Sequence, residues 1–253
     1  MKSKAKLITI AIITLLFLCQ LLSYAYQNSQ LKATKLHVNK IGALSINARL
    51  AMHEGDQEKM KKAYDQLTQA YQEYIHNPSV SEITRRKTKR KLAQTFLKVG
   101  KEEEAIQTAN ELLSENPDDK AALKTKAKIY EEDAARLLPK GKYLEAISIY
   151  QELISWDITP KLTASYKFMI AQIYEVQNDQ QGSFIWYNKI VDEHEDLLHW
   201  PACATYSIAR IYEKNGQIQQ AKQLYQKIIK FYPKSGWVKA AIEAIESLDD
   251  QEA

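Results

Sequence analysis

One spacing occurs twice in this chain and leaves little freedom in how it can fold. Ala93, Phe96, Gly100, Ala105, Ala109, Leu112 and Pro117 stand at the same offsets as Ala209, Tyr212, Gly216, Ala221, Tyr225, Ile228 and Pro233. Small and aromatic residues three apart share a helix face, a glycine then turns the chain, and a second small residue opens the returning helix. Two further copies carry changes. Ala127 and Tyr130 are followed by Gly141, seven residues late, and the phase resumes at Ala146, Tyr150 and Leu153. Seven residues are nearly two helical turns, so the first helix lengthens and keeps its face. The other copy reads Ala171, Tyr174, Asn178, Ser183, Tyr187 and Ile190, with Asn where glycine is expected. Asn also enters the left-handed backbone region. The expected units are 86–119, 120–159, 164–197 and 202–235, followed by an amphipathic capping helix over 236–248.

Upstream, Ile41, Leu44, Ala48 and Ala51 are helically spaced, Gly55 turns the chain, and Met60, Tyr64, Leu67, Tyr71 and Tyr74 follow. This predicts a helical hairpin over 28–78, either a degenerate repeat or a front cap, ended by Asn77-Pro78. No apolar/polar alternation at period two is found, and Gly (7) and Pro (6) are scarce. The predicted class is all-α, a solenoid of helical hairpins.

The N-terminus has a separate character. Lys2, Lys4 and Lys6 precede a run from Leu7 to Leu22 without charge. Cations before an apolar core orient an export segment, with the remainder of the chain outside the cytoplasm. Ser23-Tyr24-Ala25 offers cleavage after Ala25 and release as a secreted protein. The alternative is a retained single-pass anchor over residues 7–26, with Tyr24 and Tyr26 at the interface. The retained anchor is preferred. Removal of the leader would leave Cys203 as the one cysteine, so no disulfide within the chain is expected.

Charge is uneven along the sequence. Residues 26–91 hold 13 Lys+Arg against 6 Asp+Glu, whereas residues 92–253 hold 19 against 25. The densest cluster is Arg85-Arg86-Lys87-Thr88-Lys89-Arg90-Lys91. On a helix these cations point in every direction, so they cannot all face one ligand. The run reads first as a solvated, partly groove-facing helix and second as a site for an acidic protein or lipid partner, and an extracytoplasmic location argues against nucleic acid.

The repeated spacing resembles that of the tetratricopeptide repeat family over roughly residues 86–248, although the early tryptophan of that family is missing from all four units. The resemblance implies protein or peptide binding in a groove lined by the first helix of each pair. On this basis the first unit contributes Lys87, Arg90, Gln94 and Leu97, and the second Lys124, Lys128 and Glu131. The third contributes Phe168, Gln172 and Glu175, and the fourth Tyr206, Arg210 and Glu213. Gln94 stands where a carboxylate-clamping relative would have Asn, so that clamp is not expected.

Catalytic signals are weak. No phosphate-binding glycine loop, nucleophile elbow or nucleophile–base pair is found, and neither an enzyme nor a cofactor is expected. Asp192-Glu193-His194-Glu195-Asp196 with His199 invites a metal reading through Glu195 and His199, four residues apart. A zinc site needs three or four convergent ligands, and the sequence supplies no third. The expected function is an exported, membrane-tethered scaffold for protein–protein interaction. A metal-dependent accessory and a self-assembling array are the alternatives.

Overall fold

Eleven α-helices in chain order make up the described part of the chain. The structure is a computed structural model and describes residues 2–252, with side chains for residues 18–250. The helices are α1 (Lys2–Glu54), α2 (Gln57–Ile75), α3 (Glu82–Lys98), α4 (Glu102–Glu115), α5 (Lys120–Leu137), α6 (Tyr143–Ser155), α7 (Pro160–Val176), α8 (Gln180–Glu193), α9 (His199–Lys214), α10 (Ile218–Phe231) and α11 (Trp237–Glu252). A single 3-10 turn, Leu138–Lys140, follows α5. Among the described residues there is no strand. The chain divides into two compact units, the first ending at Thr125 and the second beginning at Lys126.

In the first unit α1 packs against α2, α2 against α3, and α3 against α4. Ala48 and Ala51 of α1 are buried, as are Tyr64, Leu67, Tyr71 and Tyr74 of α2. Ala93 of α3 and Ala105 of α4 are fully buried, beside the equally enclosed Leu112 and Phe96. Small side chains let two helix axes approach, and the larger ones fill the flanks, each contributing about 1.5–3 kcal/mol on burial. The sequence divides an export segment from a hairpin near residue 27, yet α1 runs unbroken from Lys2 to Glu54. Nothing between those segments breaks a helix: no proline intervenes and the first glycine is Gly42.

The apolar segment expected at 7–26 lies for the most part outside the residues whose side chains are described. Among the described residues no helix is long and apolar enough to cross a membrane.

The second unit repeats the pattern. Helices α6 to α10 pack each on the next, and α10 packs on α11. Ala171, Tyr187 and Ile190 share one core with Ala204 and Ile208. Ala209, Ala221, Tyr225 and Ile228 share another with Ala241 and Leu248 of α11. The last helix thus covers a face that α9 and α10 would otherwise leave open to water. Burial pushes the Cys203 thiol up to about 12, so it acts as a small apolar residue.

The inter-helix turns use one backbone device. Gly100, Gly141 and Gly216 have φ of 72°, 70° and 72°, and Asn178 takes the same role with φ 58°. A Cβ at Gly216 would meet nothing within 4 Å. Gly216→Ala therefore strains only the backbone, and is expected to cost about 1 kcal/mol. All four tryptophans (Trp156, Trp186, Trp200 and Trp237) lie in the second unit. A lower urea midpoint by tryptophan fluorescence reads this loss directly.

Candidate partner-binding surface

Helix α3 starts at a serine cap: Ser81 Oγ accepts the Thr84 amide. Its buried side, including Thr88, Leu92, Ala93 and Phe96, faces the neighbouring helices. That fixes which of its many cations remain outward.

Four of the six cations in the 85–91 run are engaged within the first unit. Arg85 donates to the Ile75 carbonyl and to Glu82. Arg86 donates to Glu115 at 2.9 Å, and Lys89 reaches Glu111 and Glu115 at 3.3 and 3.2 Å. Arg90 is held most firmly, with Nε 2.8 Å and Nη2 2.7 Å from Asp119 Oδ2. Asp119 in turn accepts the Ala121 and Ala122 amides and so caps α5. Burial alone would raise its carboxyl, but the Arg90 and amide hydrogen bonds outweigh that and hold it below the usual range. Arg90, expected from the resemblance to face a partner, is tied into the fold.

Lys87 and Lys91 remain exposed, as do Gln94 and Lys98 on the same helix. Residues at i, i+4, i+7 and i+11 lie on one helical face, so these four form a single polar stripe. Among the described residues no ion pair is seen for the three lysines. The sequence reading places Lys87 and Gln94 here and omits Lys91 and Lys98, although their spacing supplies the signal. Lys124 is exposed on α5 within the first unit.

The expected residues of the second unit fall into two settings. Gln172 and Arg210 are exposed and line one open cleft of about 550 Å³, with Glu175, Asn178, Glu213 and Lys214. Lys128 is exposed on α5. Phe168 and Tyr206 are half-buried and serve packing. The Phe168 ring lies 5.2 Å from Tyr187 and 5.6 Å from Trp200, and Tyr206 lies 5.0 Å from Trp237.

A second pattern recurs from pair to pair. Tyr187 donates to Glu175, Tyr225 donates to Glu213 at 2.7 Å, and Tyr166 donates to Glu131 at 2.6 Å. Burial first, and then the carboxylate partner, pushes each of these phenols up. The carboxylates thus tie the second helix of a pair, or the next first helix, to the outward face. Tyr225→Phe keeps the packing and removes one charge-assisted bond. It is expected to cost about 1.5–3 kcal/mol, read as a lower urea midpoint by tryptophan fluorescence.

The metal reading gains no geometry. His194 is buried with Nε2 3.2 Å from the Lys167 ammonium, which itself donates to Glu193. Burial and the neighbouring Lys167 both lower the imidazole pKa. A second cation is disfavoured next to that ammonium. His199 is exposed, its ring 5.1 Å from Trp200 and 6.4 Å from Trp237. Among the described residues no group of three or more His, Cys, Asp or Glu could hold a metal ion.

Comparison with known proteins adds a family match. Residues 204–235 match the model described as tetratricopeptide repeat. No curated protein matches the sequence. Solved structures with a similar course include MamA (17% identical over 71% of this chain and 95% of that one, TM-score 0.39). They also include a tetratricopeptide repeat protein from Parabacteroides merdae (16%, 83% and 72%, TM-score 0.44). A third is BtubC from P. vanneervenii (13%, 78% and 91%, TM-score 0.42). At these identities and scores they bear on neither partner nor activity.

Proposed function

We propose that this chain, whose residues 204–235 match the tetratricopeptide repeat model, is a non-enzymatic scaffold whose α3 face holds an acidic segment of another protein. One observation carries the reading. Where four cations of the 85–91 run are consumed by carboxylates and carbonyls, Lys87, Lys91 and Lys98 stay exposed on one face around Gln94. Three unpaired ammonium groups about one to two turns apart match carboxylates along an extended or helical acidic chain. The side-chain amide of Gln94 would supply donors and an acceptor to the same ligand.

The cleft around Gln172 and Arg210 offers a mixed-charge surface in the second unit for a polar stretch of a partner. The scaffold would act outside the cytoplasm, tethered through residues 7–26, because Lys2, Lys4 and Lys6 precede an uncharged run. Chemical crosslinking of the full chain in its own membrane tests the assignment. The wild type is compared with Lys87→Glu/Lys91→Glu/Lys98→Glu. Loss of an acidic partner from the variant is expected, and an unchanged set of partners would remove the reading.

A further inference from the structure

Helix α1 runs from the proposed anchor into the first unit without a break, so its contacts identify which end of the unit lies nearest that anchor. Ser79 Oγ, in the turn between α2 and α3, donates to Gln30 Oε1. Higher on α1, His37 packs on Tyr74 and Lys40 pairs with Glu73. Gln30 is four residues past Tyr26, about 6 Å along a helix. The headgroup layer on each side of a bilayer is about 5–8 Å thick. The opposite turn, at Gly55, stands about 43 Å along α1 from Tyr26.

The side chains of the near end suit such a layer. Ile83 is 70% exposed and Leu31 69%, and Pro78 in the turn is exposed. Lys32 and Lys35 are exposed on α1 beside them. Residues 27–40, 66–90 and 107–120 make up this half of the unit and hold nine Lys+Arg against six Asp+Glu. The other half, 41–65 and 91–106, holds seven of each. Most carboxylates of the near half are taken up within the fold: Glu73 by Lys40, Glu82 by Arg85, Glu111 by Lys89, Glu115 by Arg86 and Asp119 by Arg90. Asp118 is exposed at the same end.

We infer that this end of the first unit rests on the membrane surface, with Leu31, Pro78 and Ile83 among the headgroups and Lys32 and Lys35 on anionic phospholipid phosphates. The inference rests on the reading of residues 7–26 as a retained anchor. Apolar groups flanked by cations settle at the boundary between headgroups and acyl chains, where anionic lipid attracts the cations. The occupant is lipid because an unbroken α1 brings the bilayer to this turn, and a helix tilt of about 20° keeps it there. The α3 stripe then points outward, with Lys98 about 16 Å farther from the bilayer than Lys87.

The experiment uses the full chain in phosphatidylcholine vesicles, with or without phosphatidylglycerol, that carry a lipid with a nitroxide on its headgroup. A fluorophore is placed on Ile83→Cys or, at the opposite end, on the exposed position Glu58→Cys. The background is Cys19→Ser, the other cysteine, Cys203, being buried. Quenching and blue-shifted emission are expected at position 83 and neither at 58. Phosphatidylglycerol is expected to deepen the quenching at 83, and Lys32→Glu/Lys35→Glu to cancel that increase. Retention in the vesicles after alkaline carbonate is scored separately. Release by carbonate would remove the anchor and the inference with it. A retained chain quenched no more at 83 than at 58 would overturn the inference and leave the anchor standing. So would a retained chain with the same quenching at 83 in both lipids.

Discussion

Arg90→Ala is expected to destabilise the first unit by about 2–4 kcal/mol, although Arg90 lies in the middle of a charge run that reads as a solvated surface. The reason is its partner. Asp119 has only 3% of its side chain exposed, and Arg90 meets it with two nitrogens. Removing the guanidinium leaves a carboxylate enclosed with the Ala121 and Ala122 amides as its remaining donors. An uncompensated buried charge costs about 3–5 kcal/mol, and partial exposure of Arg90 lowers that range here. Arg90→Lys keeps the charge but loses the two-pronged geometry, so an intermediate loss is expected.

The readout must come from the first unit, which has no tryptophan. Hydrogen exchange at the start of α5 and along α3 is the appropriate measurement. The pH dependence has a defined sign. The Asp119 carboxyl is held below its ordinary 3.8, so its contribution is complete above that value. It is lost as pH falls through the lower, folded-state value. In Arg90→Ala this part of the acid sensitivity is expected to shrink.

Lys87→Glu/Lys91→Glu/Lys98→Glu is expected to weaken the acidic partner at least tenfold while leaving thermal stability within about 0.5 kcal/mol. The three positions are exposed and make no ion pair among the described residues, so the fold loses nothing when they change. A bound acidic segment would meet three anions where three cations stood. The same account requires the wild-type complex to weaken with salt and the variant to show little such dependence. If the variant unfolds at lower denaturant, these lysines serve the fold and the binding reading fails.

The contrast between Arg90 and Lys87, three residues apart, shows where sequence reading reaches its limit. The repeated alanines were legible because two close-packed helices need small residues at fixed offsets, and Ala93, Ala105, Ala209 and Ala221 are all fully buried. The left-handed turn at Asn178 was legible for a similar local reason. The tie between Arg90 and Asp119 spans 29 residues and depends on how two helix pairs stack, which no local spacing encodes.

The Glu–Tyr bonds fall between these cases. Glu175 with Tyr187 and Glu213 with Tyr225 share a separation of 12 residues, a recurrence visible in the sequence. Glu131 breaks that pattern because the insertion before Gly141 displaces the matching tyrosine, and Tyr166 takes its place at a separation of 35. The unbroken course of α1 was hidden for another reason. The composition changes sharply near residue 27, but a change of composition without proline or glycine does not end a helix.

The central claim is that the α3 stripe is where this scaffold meets its partner. A photoreactive side chain placed at Gln94, compared with one at exposed Asn110 on α4, tests it most directly in the full chain within its own membrane. The account predicts a partner adduct at position 94, absent at 110, and lost when Lys87, Lys91 and Lys98 are changed to Glu. Adducts of equal yield at both positions, or an adduct at 94 that survives the three substitutions, would contradict it.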